Sequence, residues 1–205
     1  MTQRKSVTGV VLAGGRSRRL GRDKAVELVG GEPLISRVIA RVSEVADEIV
    51  VVVNEIERAA QLPLPHDAVV VVDAYPDKGS LGGIFAGLRA AAKEWAIVVA
   101  CDMPFVNVAL LKHMLDQTDE CDAVVPILDG RPEPIHAAYS KVCLPAIEKK
   151  ILADDLKIAG FFDDVRVKFV AEREVDSFDP DHLSFFNINT EQDLQKAAEL
   201  VSRGR

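Results

Sequence analysis

At 205 residues, 48% hydrophobic and 28% charged, the chain suits one soluble domain spanning residues 1–205, with a core large enough for three layers. Its formal net charge of −7 at pH 7 excludes wholesale nucleic-acid binding. No apolar run reaches the roughly 18 residues of a membrane span, and three cysteines (Cys101, Cys121, Cys143) without C-x-x-C spacing point to reduced thiols in the cytoplasm.

Residues 7–13 form an unbroken apolar run, which predicts a first strand covered on both faces. Arg4 and Lys5 precede it, but the run is short and ends in an arginine cluster, unlike a signal peptide. A helix from near Pro33 turns Leu34, Val38, Val42 and Val45 inward at helical spacing. Residues 49–53 make a second strand ending at Asn54, followed by a short helix that Pro63 and Pro65 close. Residues 69–72 make a third strand with Asp73 at its carboxyl end. A loop over 75–83 then leads into a helix through Leu88 and Ala92. Residues 97–100 are a fourth strand, ending in Cys101-Asp102-Met103-Pro104; Asn107 caps a helix over 108–115, and residues 123–126 are a fifth strand.

This β-α alternation predicts an α/β fold, a three-layer, doubly wound, mostly parallel sheet of Rossmann-like type. The second half is less regular. Residues 129–139 read as a hairpin or loop returning towards the site, 140–152 and 154–162 as helical, and 167–170 and 185–188 as late strands. Thr190 caps a final helix over 191–201. Phe161, Phe162, Phe169, Phe185 and Phe186 read as core, and His66, His113 and His182 as structural or surface residues.

The stretch VTGVVLAGGRSRRLGRDKA, residues 7–25, carries the strongest signal. Arg16, Arg18, Arg19, Arg22 and Lys24 crowd against a single acid, Asp23, in an otherwise acidic protein. A buried strand running into a glycine-rich cationic loop presents backbone N–H groups to phosphate. The P-loop pattern is excluded because five residues separate Gly15 from Gly21 and Arg22-Asp23 follows; Gly14-Gly15-Arg16-Ser17 also lacks the G-x-G-x-x-G spacing. Lys24 and Arg19 are placed to neutralise a triphosphate, while Arg16, Arg18 and Arg22 read as facing water. Gly14, Gly15 and Gly21 let the backbone approach phosphates.

In open parallel sheets ligands bind beyond the carboxyl ends of the strands, which brings the loop after Ala13, Asn54, Asp73 and Asp102 to one crevice. Asp102, the strongest candidate acid, offers a hard oxygen suited to Mg²⁺ alongside substrate phosphates; the lesser alternative is a cap for the next turn. Asn54 and Asp73 suit a purine edge or ribose hydroxyls, or the strand-end turns themselves.

The pattern L-A-G-G-x-S-x-R-L-G-x-D-K-A resembles the signature loop of nucleotidyltransferases that transfer a nucleoside monophosphate, and within them the molybdenum cofactor guanylyltransferases. C-D-M-P-F at 101–105 resembles that family's metal-binding stretch, GSLGGI at 79–84 its base-side loop G-P-L-A-G-I, EPIHAAY at 133–139 its E-P-L-H-A-L-Y segment, and N-I-N-T at 187–190 a further match. Ser80 and Gly82 depart from the base-side pattern. The resemblance implies Lys24, Arg19 and Asp102 as catalytic residues and Asp102 as the metal ligand. It further implies Leu12, Ala13, Gly14, Gly15, Lys24, Asn54, Asp73, Gly82 and Asp102 around the nucleotide. His136, Asn187 and Asn189 fall on the acceptor side, although a lone histidine is as readily structural.

The implied reaction transfers GMP from GTP to the terminal phosphate of molybdenum-molybdopterin with Mg²⁺ as cofactor. Cofactor-inserting proteins and molybdoenzyme chaperones are implied partners. Two competing readings are a cytidylyltransferase or sugar-phosphate nucleotidyltransferase of the same shape, and a non-catalytic nucleotide- or cofactor-binding delivery protein. L-A-G-G and EPIHAAY weigh against the first, and the intact Lys24 and Asp102 against the second.

Overall fold

A computed structural model describes residues 5–14, 23–75 and 77–204. Strand β1 (Val7–Leu12) is followed, after a single 3-10 turn at Lys24–Val26, by the short antiparallel pair β2 (Leu28–Val29) and β3 (Glu32–Pro33). Then come α1 (Leu34–Ser43), β4 (Glu48–Val53), α2 (Ile56–Ala59), β5 (Val69–Val72), α3 (Gly79–Ala90) and β6 (Trp95–Ala100). The second half runs α4 (Val108–Leu115), β7 (Ala123–Leu128), β8 (Arg131–Pro132), β9 (His136–Ser140), α5 (Leu144–Leu152), β10 (Val167–Val170), α6 (Glu172–Asp176) and α7 (Glu191–Ser202). Among the described residues no helix is long and apolar enough to cross a membrane.

The main sheet has the order β10-β7-β9-β6-β1-β4-β5, with β8 paired to β7. All neighbours are parallel except β9, which runs antiparallel between β6 and β7, and the β7–β8 hairpin. From β1 the chain builds outward through β4 and β5, then crosses to the other side of β1 to form β6. The sheet therefore reverses direction of growth between β1 and β6, where Leu12 stands beside Ala100.

β-branched runs explain the strands. Val7 and Val11 face α1 and α4, meeting Ile35, Val38, Val42, Leu110 and Met114. Val10 turns the other way, into Leu81, Ile84 and Leu88 of α3 and Ile147 of α5. Helices cover both faces, so the strands need apolar residues at every position. A smaller cluster (Val29, Leu34, Ile188, Ala197) docks α7 and the β2–β3 pair at the carboxyl end of the sheet.

Three expectations are corrected. Residues 185–188 are not a strand: Leu183–Phe185 is a 3-10 turn entered through His182 at φ 52°, and Ile188 donates its N–H to the Asp102 carbonyl (3.0 Å). Docking of Ile188 into the small cluster and Phe185 against His136 overrides their β-propensity. The supposed loop over 75–83 is helical from Gly79 onward. Gly82, Gly83 and Gly87 lie close against Asp73, Leu12 and Val10, whereas Gly79 takes the positive φ (60°) with which the helix begins. Phe169 also departs from the core reading, being 44% exposed on edge strand β10.

Gly87 shows how closely α3 lies on the sheet, since a Cβ there would stand 2.3 Å from Val10 Cγ1 and 3.3 Å from Val52 Cγ2. Gly87→Ala should lower stability by about 1–2 kcal/mol, overpacking outweighing the helix-propensity gain. Urea unfolding checks this as a lower midpoint at unchanged slope.

Candidate active site

Three parallel strands deliver polar residues to one edge. Ala13 donates its N–H to the Val52 carbonyl (2.8 Å), Cys101 to Leu12 (3.0 Å) and Asp73 to Val53 (2.9 Å), so the ladder hydrogen bonds continue one residue past the strands and fix where the next side chains emerge. A cavity of about 480 Å³ opens there, lined by Leu12, Gly14, Lys24, Asn54, Asp73, Asp102 and Asn187 among others. It lies at the β1/β6 reversal, the place where open α/β sheets bind ligands.

Lys24 bridges the cavity. Its Nζ donates to Asp102 Oδ2 at 3.1 Å and to Asn189 Oδ1 at 2.5 Å, with the Lys24 and Asp102 side chains only 15% and 18% exposed. Asp102 Oδ1 is buried and has no partner among the described residues. No group of three or more His, Cys, Asp or Glu residues that would hold a metal occurs among the described residues. An open carboxylate oxygen fits one hard divalent cation completed by substrate oxygens, the usual coordination of Mg²⁺ beside phosphates.

The 3-10 turn that carries Lys24 is capped by Asp23, whose Oδ1 accepts from the Ala25 N–H (3.0 Å). The same carboxylate receives both Nε (2.8 Å) and Nη2 (2.6 Å) of Arg58. Asp23 figured in the sequence as the lone acid among cations and as part of the D-K-A motif, and Arg58 not at all. A cap signal directly before Lys24 was readable there; the partner 35 residues away was not.

On the opposite wall, Asp73 is buried, and its Oδ1 accepts the Tyr75 N–H (2.9 Å). Burial raises its pKa, partly offset by that hydrogen bond. Gly82 packs behind Asp73 within α3, whereas Gly83 and Ser80 reach the cavity. Gly14 abuts Asn54: a Cβ would fall 2.2 Å from Asn54 Oδ1. Cys101 lines the floor as a neutral thiol, because burial and the neighbouring Asp102 charge push its pKa up to about 12.

Of the expected site residues, the structure brings Leu12, Gly14, Lys24, Asn54, Asp73, Asp102 and Asn187 to one cavity, with Ala13 buried beneath. Asn189 meets Lys24 directly. Gly15 and Arg19, with Arg16, Arg18, Gly21 and Arg22, lie outside the described residues. His136 is fully buried, stacks on Phe185 at 4.8 Å between ring centroids, and has no hydrogen-bond partner on either ring nitrogen among the described residues.

A mostly parallel α/β sheet with a polar cavity at its reversal point is the architecture of a ligand-binding α/β protein. Residues 9–165 match the family model of the MobA-like NTP transferase domain, which makes the class that of the NTP transferases. The molybdenum cofactor guanylyltransferase of Desulfosudis oleivorans is 38% identical, covering 98% of each chain, and that of Syntrophotalea carbinolica is 33% identical over 92% of this chain and 89% of its own. The solved molybdopterin-guanine dinucleotide biosynthesis protein A of Archaeoglobus fulgidus superposes with a TM-score of 0.83 at 33% identity, covering 96% of this chain and 99% of that one. The chain belongs to the molybdenum cofactor guanylyltransferase family of MobA-like NTP transferases.

Two predictions come from this geometry. Gly14→Ala should displace the Asn54 amide and weaken nucleoside triphosphate binding about tenfold, the worth of one good hydrogen bond; calorimetric titration reads it. Burial holds His136 neutral, lowering its pKa from 6.5 to about 4 against the opposing pull of Asp179. The unfolded chain binds that proton below about pH 6.5 while the native state refuses it down to about pH 4. His136 therefore withdraws roughly 3 kcal/mol of stability as pH falls across that window. In His136→Phe this slope should flatten, as urea unfolding at pH 7 and pH 4.5 will read.

Proposed function

We propose that the chain transfers GMP from GTP to the terminal phosphate of molybdenum-molybdopterin, forming the guanine dinucleotide cofactor and releasing pyrophosphate. The observation that carries this reading is the Lys24–Asp102 pair at the sheet's reversal point, in a chain 38% identical to a molybdenum cofactor guanylyltransferase along almost its whole length. The same identity favours guanylyl over cytidylyl or sugar-phosphate transfer.

The acceptor phosphate attacks the α-phosphorus, a new P–O bond forms, and the bond to the β-phosphate oxygen breaks with the electron pair leaving on pyrophosphate. A phosphate monoester is already anionic at neutral pH, so the protein need not provide a nucleophile. Its residues hold the reactants in line and neutralise charge. Lys24 meets the polyphosphate with a mobile point charge, and Asp102 and Asn189 keep that ammonium aimed into the cavity before nucleotide arrives. Asn54 and Asp73 offer an amide and a carboxylate to the nucleoside, and Asn187 stands towards the acceptor. Arg19 and Gly15 complete the phosphate loop in this reading.

Asp102 would hold Mg²⁺ through its open oxygen. When bound, the ion supplies charge neutralisation at the reacting phosphoryl oxygens. Three free thiols (Cys101, Cys121, Cys143) suit a reducing cytoplasm, where inserting proteins and molybdoenzyme chaperones would take the product.

Pyrophosphate release measured with each of the four NTPs, with and without the molybdenum-loaded pterin, tests the reading: release should require GTP and acceptor together. Release from CTP alone, or from no nucleotide, contradicts it. Asp102→Asn should lower kcat about 10²–10³-fold, the scale of losing one preorganised electrostatic contact. The backbone anchor from Ile188 N–H to the Asp102 carbonyl (3.0 Å) leaves the fold in place, so Tm should hold.

A further inference from the structure

We infer that Arg58 is a positioning residue for the transfer: by gripping Asp23 it fixes the turn that presents Lys24 to the nucleotide's phosphates. The inference rests on the assignment of Lys24 to the phosphates given above.

Lys24 sits at the start of a three-residue 3-10 turn. So short a turn fixes several dihedrals for one internal hydrogen bond, here Glu27 N–H to the Lys24 carbonyl (3.0 Å), and does not hold itself in water. Its placement must therefore be imposed from outside. Asp23 does so on the chain side, capping the Ala25 N–H at 3.0 Å. Arg58 does so on the protein side: Nε reaches Asp23 Oδ2 at 2.8 Å and Nη2 reaches Oδ1 at 2.6 Å. Two parallel bonds from a planar fork fix the orientation of the carboxylate as well as its position, which a single contact does not. The Arg58 and Asp23 side chains are 11% and 28% exposed, so water competes weakly for the contact.

Arg58 belongs to α2, which begins two residues after Asn54. The guanidinium thus ties the exit of the phosphate loop to the segment that supplies a wall of the cavity. It is not among the residues lining that cavity and acts through Asp23. Displacing Asp23 would move Lys24 out of register with Asp102 and Asn189. Misplacement by about 1 Å is enough to cost a transfer step that relies on alignment about 10²-fold.

The test compares wild type, Arg58→Ala, Arg58→Lys, Asp23→Asn and the double variant Arg58→Ala/Asp23→Asn. Three measurements are made on each: steady-state pyrophosphate release from GTP in the presence of the molybdenum-loaded pterin, hydrogen exchange of the amides at 24–27 without nucleotide, and Tm. Both single losses should lower kcat about 10–100-fold with a smaller change in the KM for GTP, and exchange at 24–27 should quicken. The double variant should be no worse than the poorer single, and Arg58→Lys should recover part of the rate. Wild-type kcat in Arg58→Ala, unchanged exchange at 24–27, or multiplied losses in the double variant would each overturn the assignment. Should Arg58→Ala fail to fold, Arg58→Lys and Asp23→Asn decide by the same readings. Absence of GTP-dependent release in wild type itself would strike the function, and the exchange comparison would still decide what Arg58 does.

Discussion

The site depends on one three-way contact, in which the Lys24 ammonium lies between the carboxylate of Asp102 and the amide oxygen of Asn189. These residues stand 78 and 165 positions from Lys24 along the chain. Only the sheet order brings them together. Parallel pairing sets Leu12 beside Ala100, so the segments leaving β1 and β6 emerge side by side, and the Ile188 N–H bonded to the Asp102 carbonyl (3.0 Å) brings the third segment in. The partly buried Lys24 ammonium is held in this junction by one carboxylate and one neutral amide oxygen, and keeps a third N–H for an arriving anion.

The valines that make the strands and the helices that cover both faces set the geometry of that junction. In β1 the one polar side chain, Thr8, sits at the amino end and is bonded to Glu48, so the carboxyl half of the strand is apolar on both sides. The polar residues of the site are confined to strand ends, where the ladder has run out and side chains turn towards open space. Asp73 shows the cost of that placement, since burial raises its pKa and a single backbone N–H only partly compensates. Cys101 shows how the same surroundings keep a potential nucleophile inert beside the reacting groups.

Much of the frame was readable in the sequence because it follows from local pattern. The four valines of Val69–Val72, the helix Val108–Leu115 with its Asn107 cap, and the capping box at Thr190 all take their predicted places. Features that depend on distant neighbours were not readable. The His136–Ser140 strand takes its place between β6 and β7 through tertiary pairing, and residues 185–188 surrender a strand-like pattern to packing around His136 and Ile188. Lys24 and Asp102 announced themselves through their motifs. The Asp23–Arg58 contact did not, since it joins an acid of the loop motif to an arginine 35 residues away in a short helix that carries no motif. The glycines of the 75–83 stretch divide in the structure: Gly79 keeps a turn conformation at φ 60°, whereas Gly83 lies within α3 against Leu12 of the sheet.

The most direct test of the central claim is a crystal structure of the chain with a non-hydrolysable GTP analogue and Mg²⁺. The account predicts polyphosphate oxygens within hydrogen-bonding reach of Lys24, the ion on Asp102, and the nucleoside against Asn54 and Asp73. An analogue bound elsewhere, or bound there with Lys24 still turned wholly to Asp102 and Asn189, would contradict it.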